Sequence, residues 1–207
     1  VLGNVLQGIQ IGPDYSYHGD GFFEFLNPYA LFTGVTTLSL FMMHGAIYLL
    51  MKTEGRLYSK IRQLLKGGMI FFMVSFGITT LYTLLYIPHL SDDFREQPWL
   101  FLVPLLTFLS IANVPRLASR KKFRIAFLFS SLTISLLLVL VAVELYPVLL
   151  RSSLDPAYHI TVYNAASSDK SLGIMLTIAT IGAPLVAAYT IFVYRTFWGK
   201  VTLDETS

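Results

Sequence analysis

The stretch that most constrains this chain is residues 27–54, which read NPYALFTGVTTLSLFMMHGAIYLLMKTE. From Tyr29 to Met51 there is no Asp, Glu, Lys or Arg, and about 20 apolar residues are enough to cross a hydrocarbon core about 30 Å thick. Asn27 is a favoured N-cap residue, and Pro28 follows at the first helical position, where its missing N–H costs nothing. The span is predicted to end at Lys52, where charged residues resume, because inserting a basic side chain at mid-depth of the membrane costs about 2.5–3.5 kcal/mol. Residues 28–51 are therefore predicted to form a transmembrane helix.

The composition extends this prediction to the whole chain. Of its 207 residues 55% are hydrophobic and only 13% are charged, and the mean hydropathy is +0.63, whereas about a quarter of the residues of a soluble domain are charged. The net charge of +3 comes from basic residues confined to short segments between apolar runs, a placement typical of membrane topology rather than of nucleic-acid binding. With no cysteine, disulfides and thiolate metal sites are excluded. We expect an all-α integral membrane protein with no nucleic-acid partner.

Four further apolar runs follow the first. Pro88 and Pro115 are expected to end the second and third runs, Pro104 lies inside the short third run, and Pro184 predicts a kink in the last. Residues 1–8 are too few to span, and aromatic residues between Tyr15 and Tyr29 are typical of a membrane-interface belt. We predict one transmembrane domain over residues 1–207, a helical bundle of about five spans. The spans are placed at residues 28–51, 67–87, 98–114, 125–146 and 171–198.

Basic residues are distributed unequally over the two sides of this predicted bundle. Because cytoplasmic loops carry the excess of Lys and Arg, the richer side is expected inside and the poorer side outside. This places the N-terminus outside and the C-terminus inside. The richer side holds Lys52, Arg56, Lys60, Arg62, Lys66, Arg116, Arg120, Lys121, Lys122, Arg124, Arg195 and Lys200. The poorer side holds Arg95, Arg151 and Lys170.

His44 is the only histidine well inside a predicted span. Bis-histidine ligation of a haem within this chain is therefore excluded, and pairing of His44 with Met69 or Met73 is the one internal option. Methionine is common as a packing residue, so we do not expect that pairing. A hydrogen bond across helices is the structural interpretation of His44. A place in a proton or quinone pathway is the functional one, because ionisable groups inside membranes are costly and often functional.

Glu144 is the only carboxylate within a predicted span, close to the outer surface. It either reaches water there or takes part in proton exit or partner contact. His44 and Glu144 are thus the two candidate pathway residues. No catalytic residue, cofactor ligand or metal ligand is predicted in this chain.

Several short segments, in order, resemble subunit II of the cytochrome bd-type quinol oxidases, in its C-terminal part. They are GNVLQG at 3–8, FLNPYAL at 25–31, HGAIYLLMKTEG at 44–55, FSSLT at 129–133, ITVYNAASS at 160–168 and GKV at 199–201. Each is short, and their specificity lies in their shared register over the whole chain. The family has further spans before the GNVLQG segment, so we expect this chain to be part of a longer subunit.

The resemblance implies a complex of the prokaryotic cell (inner) membrane that oxidises quinol, reduces O2 to water and generates a proton-motive force. In that family subunit I carries the haems, including haems b and d, and subunit II is its haem-free partner. A bound quinone, membrane lipid and a small accessory subunit are further expected partners. The resemblance implies enzyme activity for the complex, as a quinol:O2 oxidoreductase with its redox centres in subunit I, and leaves open whether the isolated chain is an enzyme.

Half of a secondary transporter is the alternative. Transporters typically carry broken helices with polar sites at mid-depth and internal repeats. Pro104 and Pro184 are possible breaks, but no convincing repeat is present.

Overall fold

The computed structural model describes residues 1–91, 97–197 and 199. Arg95, Lys200 and Val201, used in the orientation and resemblance arguments, and Trp198, the predicted end of the last span, lie outside these residues. Within the described part, five helices are long and apolar enough to cross a membrane, as the sequence predicts. The chain is an all-α membrane protein with these main helices: α1 (Leu2–Gln7), α2 (Pro28–Lys52), α3 (Gly55–Tyr86), α4 (Leu102–Ser119), α5 (Phe123–Glu144) and α6 (Asp169–Thr196).

Helices α2 to α5 form two antiparallel hairpins that pack together. A two-residue connection joins α2 to α3, and three residues join α4 to α5, so each pair lies side by side. One apolar cluster runs through the four helices, with Ile47, Phe72, Val114 and Ala126 at its centre and inaccessible to solvent. This four-helix bundle is the core of the molecule.

The start of α2 follows the sequence prediction. The Asn27 side-chain oxygen accepts the Ala30 N–H at 2.8 Å, which satisfies one of the unpaired donors of the first turn. Pro28 occupies the first helical position and the helix ends at Lys52. The predicted N-cap is confirmed.

Helix α3 begins twelve residues before the predicted span at residue 67, because the basic connector is itself helical. Ile61 and Leu65 are buried on one face of it, while its Lys and Arg side chains lie on the others. The predicted span was placed on a run without charged residues, so it could not include these amphipathic, charged first turns of α3. At about 1.5 Å per residue the 32 residues of α3 extend to about 48 Å, well beyond the hydrocarbon core.

The prediction that Pro115 ends the third span was wrong. Helix α4 continues through Pro115 to Ser119. Proline removes one backbone hydrogen bond from a helix interior, but Val114 and Ala118 on either side of it are both buried against the bundle. Tertiary packing therefore carries the helix past the proline. Pro104 lies in the first turn of α4, where a missing N–H is harmless.

The segments before α2 and between α5 and α6 form an outer layer over one end of the bundle. Its hairpin pairs β1 (Val148–Leu150) with β2 (Ile160–Thr161) in antiparallel register. The Ile9 N–H donates to the Arg151 carbonyl at 3.0 Å, and the Ser153 N–H donates to the Ile9 carbonyl at 2.9 Å. Segments more than 140 positions apart in the chain are thereby joined.

Helix α6 differs from the other long helices, because none of its residues is buried. It is continuous through Gly182 and Pro184, from Asp169 to Thr196. The Lys52 ammonium donates a hydrogen bond to the Phe197 carbonyl, just after its end, at 3.2 Å. Most of the apolar surface of α6 is thus exposed among the residues that the structure describes.

Candidate functional site

His44 joins two helices at the middle of the bundle. Its Nδ1 lies 2.7 Å from Ser130 Oγ of α5. Its ring stacks on Phe127 of the same helix, with 4.6 Å between ring centroids and 25° between planes. The hydrogen bond across helices expected for His44 is therefore present, and its role in a pathway stays a prediction.

The Ser130 hydroxyl lies within hydrogen-bonding distance of two groups. Its single hydrogen can go either to the Phe127 carbonyl at 2.9 Å or to His44 Nδ1 at 2.7 Å, and when it goes to the carbonyl, Ser130 Oγ accepts from His44 Nδ1. In that arrangement a neutral His44 imidazole carries its proton on Nδ1, and Nε2 is an acceptor. Among the described residues no hydrogen bond to Nε2 is found. His44 is half-buried.

A second set of hydroxyls lies next to Ser130 between α4 and α5. Ser110 Oγ donates to the Phe129 carbonyl at 2.9 Å, and Thr133 Oγ1 lies 3.1 Å from Ser110 Oγ. Ser110, Ser130 and Thr133 are all buried. These contacts satisfy hydroxyls that would otherwise be unpaired in an apolar interior.

Glu144 lines a cavity of about 570 Å³ between α1 and the ends of the four helices that lie next to the outer layer. We call it the threonine cavity after its hydroxyl-bearing lining. One oxygen of the Glu144 carboxylate, Oε2, is shielded from solvent, so the side chain does not simply extend into water. Leu40, one helical turn before His44, also lines the cavity. The threonines of the lining are Thr33, Thr36, Thr37, Thr79, Thr80, Thr83 and Thr107.

Tyr29 and the threonines were missed as site residues by sequence reasoning. Tyr29 was assigned to the interface belt, yet it is only 3% exposed and its Oη lies 3.2 Å from Thr83 Oγ1. Thr36 Oγ1 lies 2.8 Å from Thr79 Oγ1 across α2 and α3. The i, i+4 spacing of Thr33 with Thr37 and of Thr79 with Thr83 places each pair on one helix face, a signal that was available in the sequence.

The remaining histidines lie in the outer layer and do not form a common site. His89 Nε2 lies 3.0 Å from the Leu6 carbonyl, and His159 Nδ1 accepts the Ser152 N–H at 3.1 Å. His18 pairs with Asp14 at 2.9 Å on the surface, and hydrogen bonds from Ser16 and His18 hold the pKa of Asp14 well below its usual range. The described residues contain no group of three His, Cys, Asp or Glu side chains that could hold a metal ion.

A bundle of apolar helices with one half-buried histidine and a hydroxyl-lined cavity defines a multi-pass α-helical membrane protein. Residues 1–197 match the family model of cytochrome bd terminal oxidase subunit II. The chain belongs to this family and is a multi-pass protein of the cell (inner) membrane. The resemblance found in the sequence is thereby confirmed.

Three bacterial relatives have names that agree with this family. A Haemophilus influenzae protein named "Probable cytochrome oxidase subunit 2" is 28% identical over 97% of this chain and 60% of its own length. The cytochrome bd-I ubiquinol oxidase subunit 2 of Escherichia coli K12 is 25% identical over 99% of this chain and 62% of its own length. The cytochrome bd ubiquinol oxidase subunit 2 of Bacillus subtilis is 27% identical over 97% and 58%. The chain thus spans about 60% of the length of these relatives.

Proposed function

We propose that this chain is a haem-free membrane subunit of a cytochrome bd-type quinol oxidase, which supports a haem-bearing subunit I. The family match over residues 1–197 carries the proposal, and two relatives are named as subunits of ubiquinol oxidases. The complex would oxidise quinol, reduce O2 to water and generate a proton-motive force. The same match favours this function over half of a secondary transporter.

The proposal places the haems in the partner subunit. Support comes from His44, the only histidine inside a described span, which alone cannot provide bis-histidine ligation. Its ring also stacks on Phe127, which would have to move to admit a porphyrin beside it. Quinone, lipid and a small accessory subunit are further proposed partners. We propose that the outer layer faces the outside and the C-terminus the cytoplasm, on the distribution of basic residues.

Haem spectroscopy of the purified proteins tests the proposal that subunit I, and not this chain, binds the haems. The chain expressed without subunit I is expected to show no stoichiometric Soret band, and the chain co-purified with subunit I is expected to show one. His44→Ala should leave the haem content of the complex nearly unchanged, because the haem iron is not bound by this chain. Loss of one haem signal from an assembled His44→Ala complex would contradict the proposal, as would a Soret band in the isolated chain.

His44 and Glu144 are proposed to belong to a path for protons or quinone. The threonine cavity supports this, because it contains Glu144 and reaches Leu40, one turn from His44. Glu144→Gln keeps the shape of the side chain and removes its charge. Quinol-dependent O2 consumption and proton release by vesicles should fall several-fold if the path carries protons, whereas the quinone content should fall if it holds quinone. Values equal to those of the unmodified complex in all three measurements would remove Glu144 from the path.

A further inference from the structure

A second cavity of about 570 Å³ lies between α2 and α3 on the surface of the bundle, away from Glu144. We call it the Lys60 groove. Met43 of α2 and Leu65 of α3, each 2% exposed, form part of its apolar floor. Lys60 and Gln63 lie at one end of its lining and Phe71 at the other. The groove is therefore polar and cationic at one end and apolar along the rest.

The spacing of the lining residues on α3 aligns the groove with the helix axis. Lys60, Gln63, Gly67 and Phe71 follow one another at intervals of three or four residues, so they share one face of the helix. Phe71 lies eleven positions after Lys60, a distance of about 16 Å along the axis at 1.5 Å per residue. This is close to half of the ~30 Å hydrocarbon core, the depth of one leaflet.

Two consecutive glycines, Gly67 and Gly68, leave open space in the Lys60 groove. A Cβ atom added to Gly67 or to Gly68 would meet no atom within 4 Å apart from the adjoining residues and backbone of its own helix, so the space beside them is open rather than filled by a neighbouring helix. The floor remains apolar on both sides of them, with Met43 and Leu65. An extended hydrocarbon chain can lie along such a channel.

The charge at the mouth of the groove selects the head group. Within the described part of the chain no carboxylate pairs with Lys60, and its side chain is exposed. Lys60 lies in the amphipathic turns of α3 that extend past the apolar core, at the level where lipid head groups lie. Arg56 lies one helical turn before it, so the local potential is positive. An anionic phosphate group is the complementary ligand.

We propose that the Lys60 groove binds one anionic phospholipid. The phosphate lies at Lys60 and Gln63, and one acyl chain runs past Gly67 and Gly68 towards Phe71. This site is independent of the oxidase assignment, because it depends only on the contacts of α2 with α3. A bound lipid would fill the open side of the α2–α3 hairpin and strengthen the contact of the bundle with the leaflet.

Native mass spectrometry of the protein, in the complex in which it is purified, tests the site. Phosphatidylglycerol and phosphatidylcholine with identical palmitoyl and oleoyl chains are titrated separately. One phosphatidylglycerol molecule is expected to bind more tightly than phosphatidylcholine. Lys60→Gln should lower the phosphatidylglycerol affinity about fivefold, the effect of one surface cation near an anionic lipid, and leave phosphatidylcholine unchanged. Gly68→Leu should weaken both lipids, because its side chain occupies the channel.

Lys122→Gln is the matched control, since it removes the same charge from the α4–α5 connector. It should leave the phosphatidylglycerol affinity unchanged. An equal loss in Lys60→Gln and Lys122→Gln would show that bulk charge attracts the lipid and would overturn the site. Equal affinity for the two lipids, or no effect of Lys60→Gln, would also overturn the proposed lipid site. Either result is expected if a protein helix covers the groove. If Gly68→Leu does not fold, the phosphatidylglycerol affinity of Lys60→Gln alone still tests the site.

Discussion

The four-helix bundle and α6 are built from similar residues, yet only the bundle buries them. Both contain long apolar runs with small residues, such as Gly173 and Gly182 in α6. In the bundle, Ser130 contacts His44 and Thr36 contacts Thr79 across helices. The threonines of α6 that form hydrogen bonds donate them to carbonyls of α6 itself: Thr177, Thr180, Thr190 and Thr196.

The comparison shows that membrane-spanning character and packing are separate properties. Apolar length places a helix in the bilayer, but lipid tails are as apolar as leucine, so association of helices requires complementary shape and polar contacts. The bundle has both, whereas in the described part of the chain no residue of α6 is buried.

The largest difference in the free energy of unfolding is expected when one phenylalanine ring is removed from the four-helix bundle and one from α6. Phe72 is 0% exposed and Phe192 is 66% exposed. In the chain purified by itself, Phe72→Ala should lower the free energy of unfolding by about 3–5 kcal/mol, because it leaves a cavity. Phe192→Ala should change it by less than about 0.5 kcal/mol. Equilibrium unfolding in mixed detergent micelles measures both, and equal losses would mean that α6 packs on the bundle.

A smaller effect is expected from the polar contact between α2 and α5. Ser130→Ala removes the hydroxyl partner of His44 Nδ1 and should lower the free energy of unfolding by about 0.6–1.7 kcal/mol, the range measured for hydrogen bonds between membrane helices. Ser135, on the exposed side of the same helix, is the matched control, and Ser135→Ala should have almost no effect. A double-mutant cycle with His44→Ala isolates the coupling. A coupling near zero would show that the contact does not stabilise the bundle.

The smallest effect concerns the outer layer and depends on pH. Desolvation, and then the positive charge of Arg151, lower the pKa of His159 below its ordinary value, while Asp155 opposes them and His89 adds to the lowering. Because the unfolded segment binds the proton more readily, the layer should lose stability as pH falls through about 6.5. Protonation also removes the Nδ1 acceptor of the Ser152 N–H.

Hydrogen exchange of the Ser152 amide between pH 7.5 and 5.5, corrected for intrinsic rates, measures this loss. Protection should fall with pH in the unmodified protein and vary less in His159→Gln. The described residues of α6 contain no histidine, so protection of its amides supplies the reference. Protection of Ser152 that is constant over this range would contradict the role of His159.

The helices were more predictable than the site. The start of α2 follows from Asn27 and Pro28, because capping is local chemistry. The extension of α4 through Pro115 was not predictable in the same way, since burial of Val114 and Ala118 outweighs one lost hydrogen bond. His44 and Glu144 were identified because they are ionisable residues within predicted spans. Tyr29 and the threonines were identified as the lining of the threonine cavity only from the packing of the four helices.

The sequence by itself determined that five apolar helices enter the membrane, which family the chain belongs to, and which ionisable residues lie within the spans. These follow from side-chain transfer free energies and from motif order, neither of which requires contacts between distant segments. The tertiary structure alone decided that Ser130 is the partner of His44, that Glu144 lines a cavity and that no residue of α6 is buried in the described part of the chain. Each depends on the rotation of one helix against another, which packing sets and hydropathy does not.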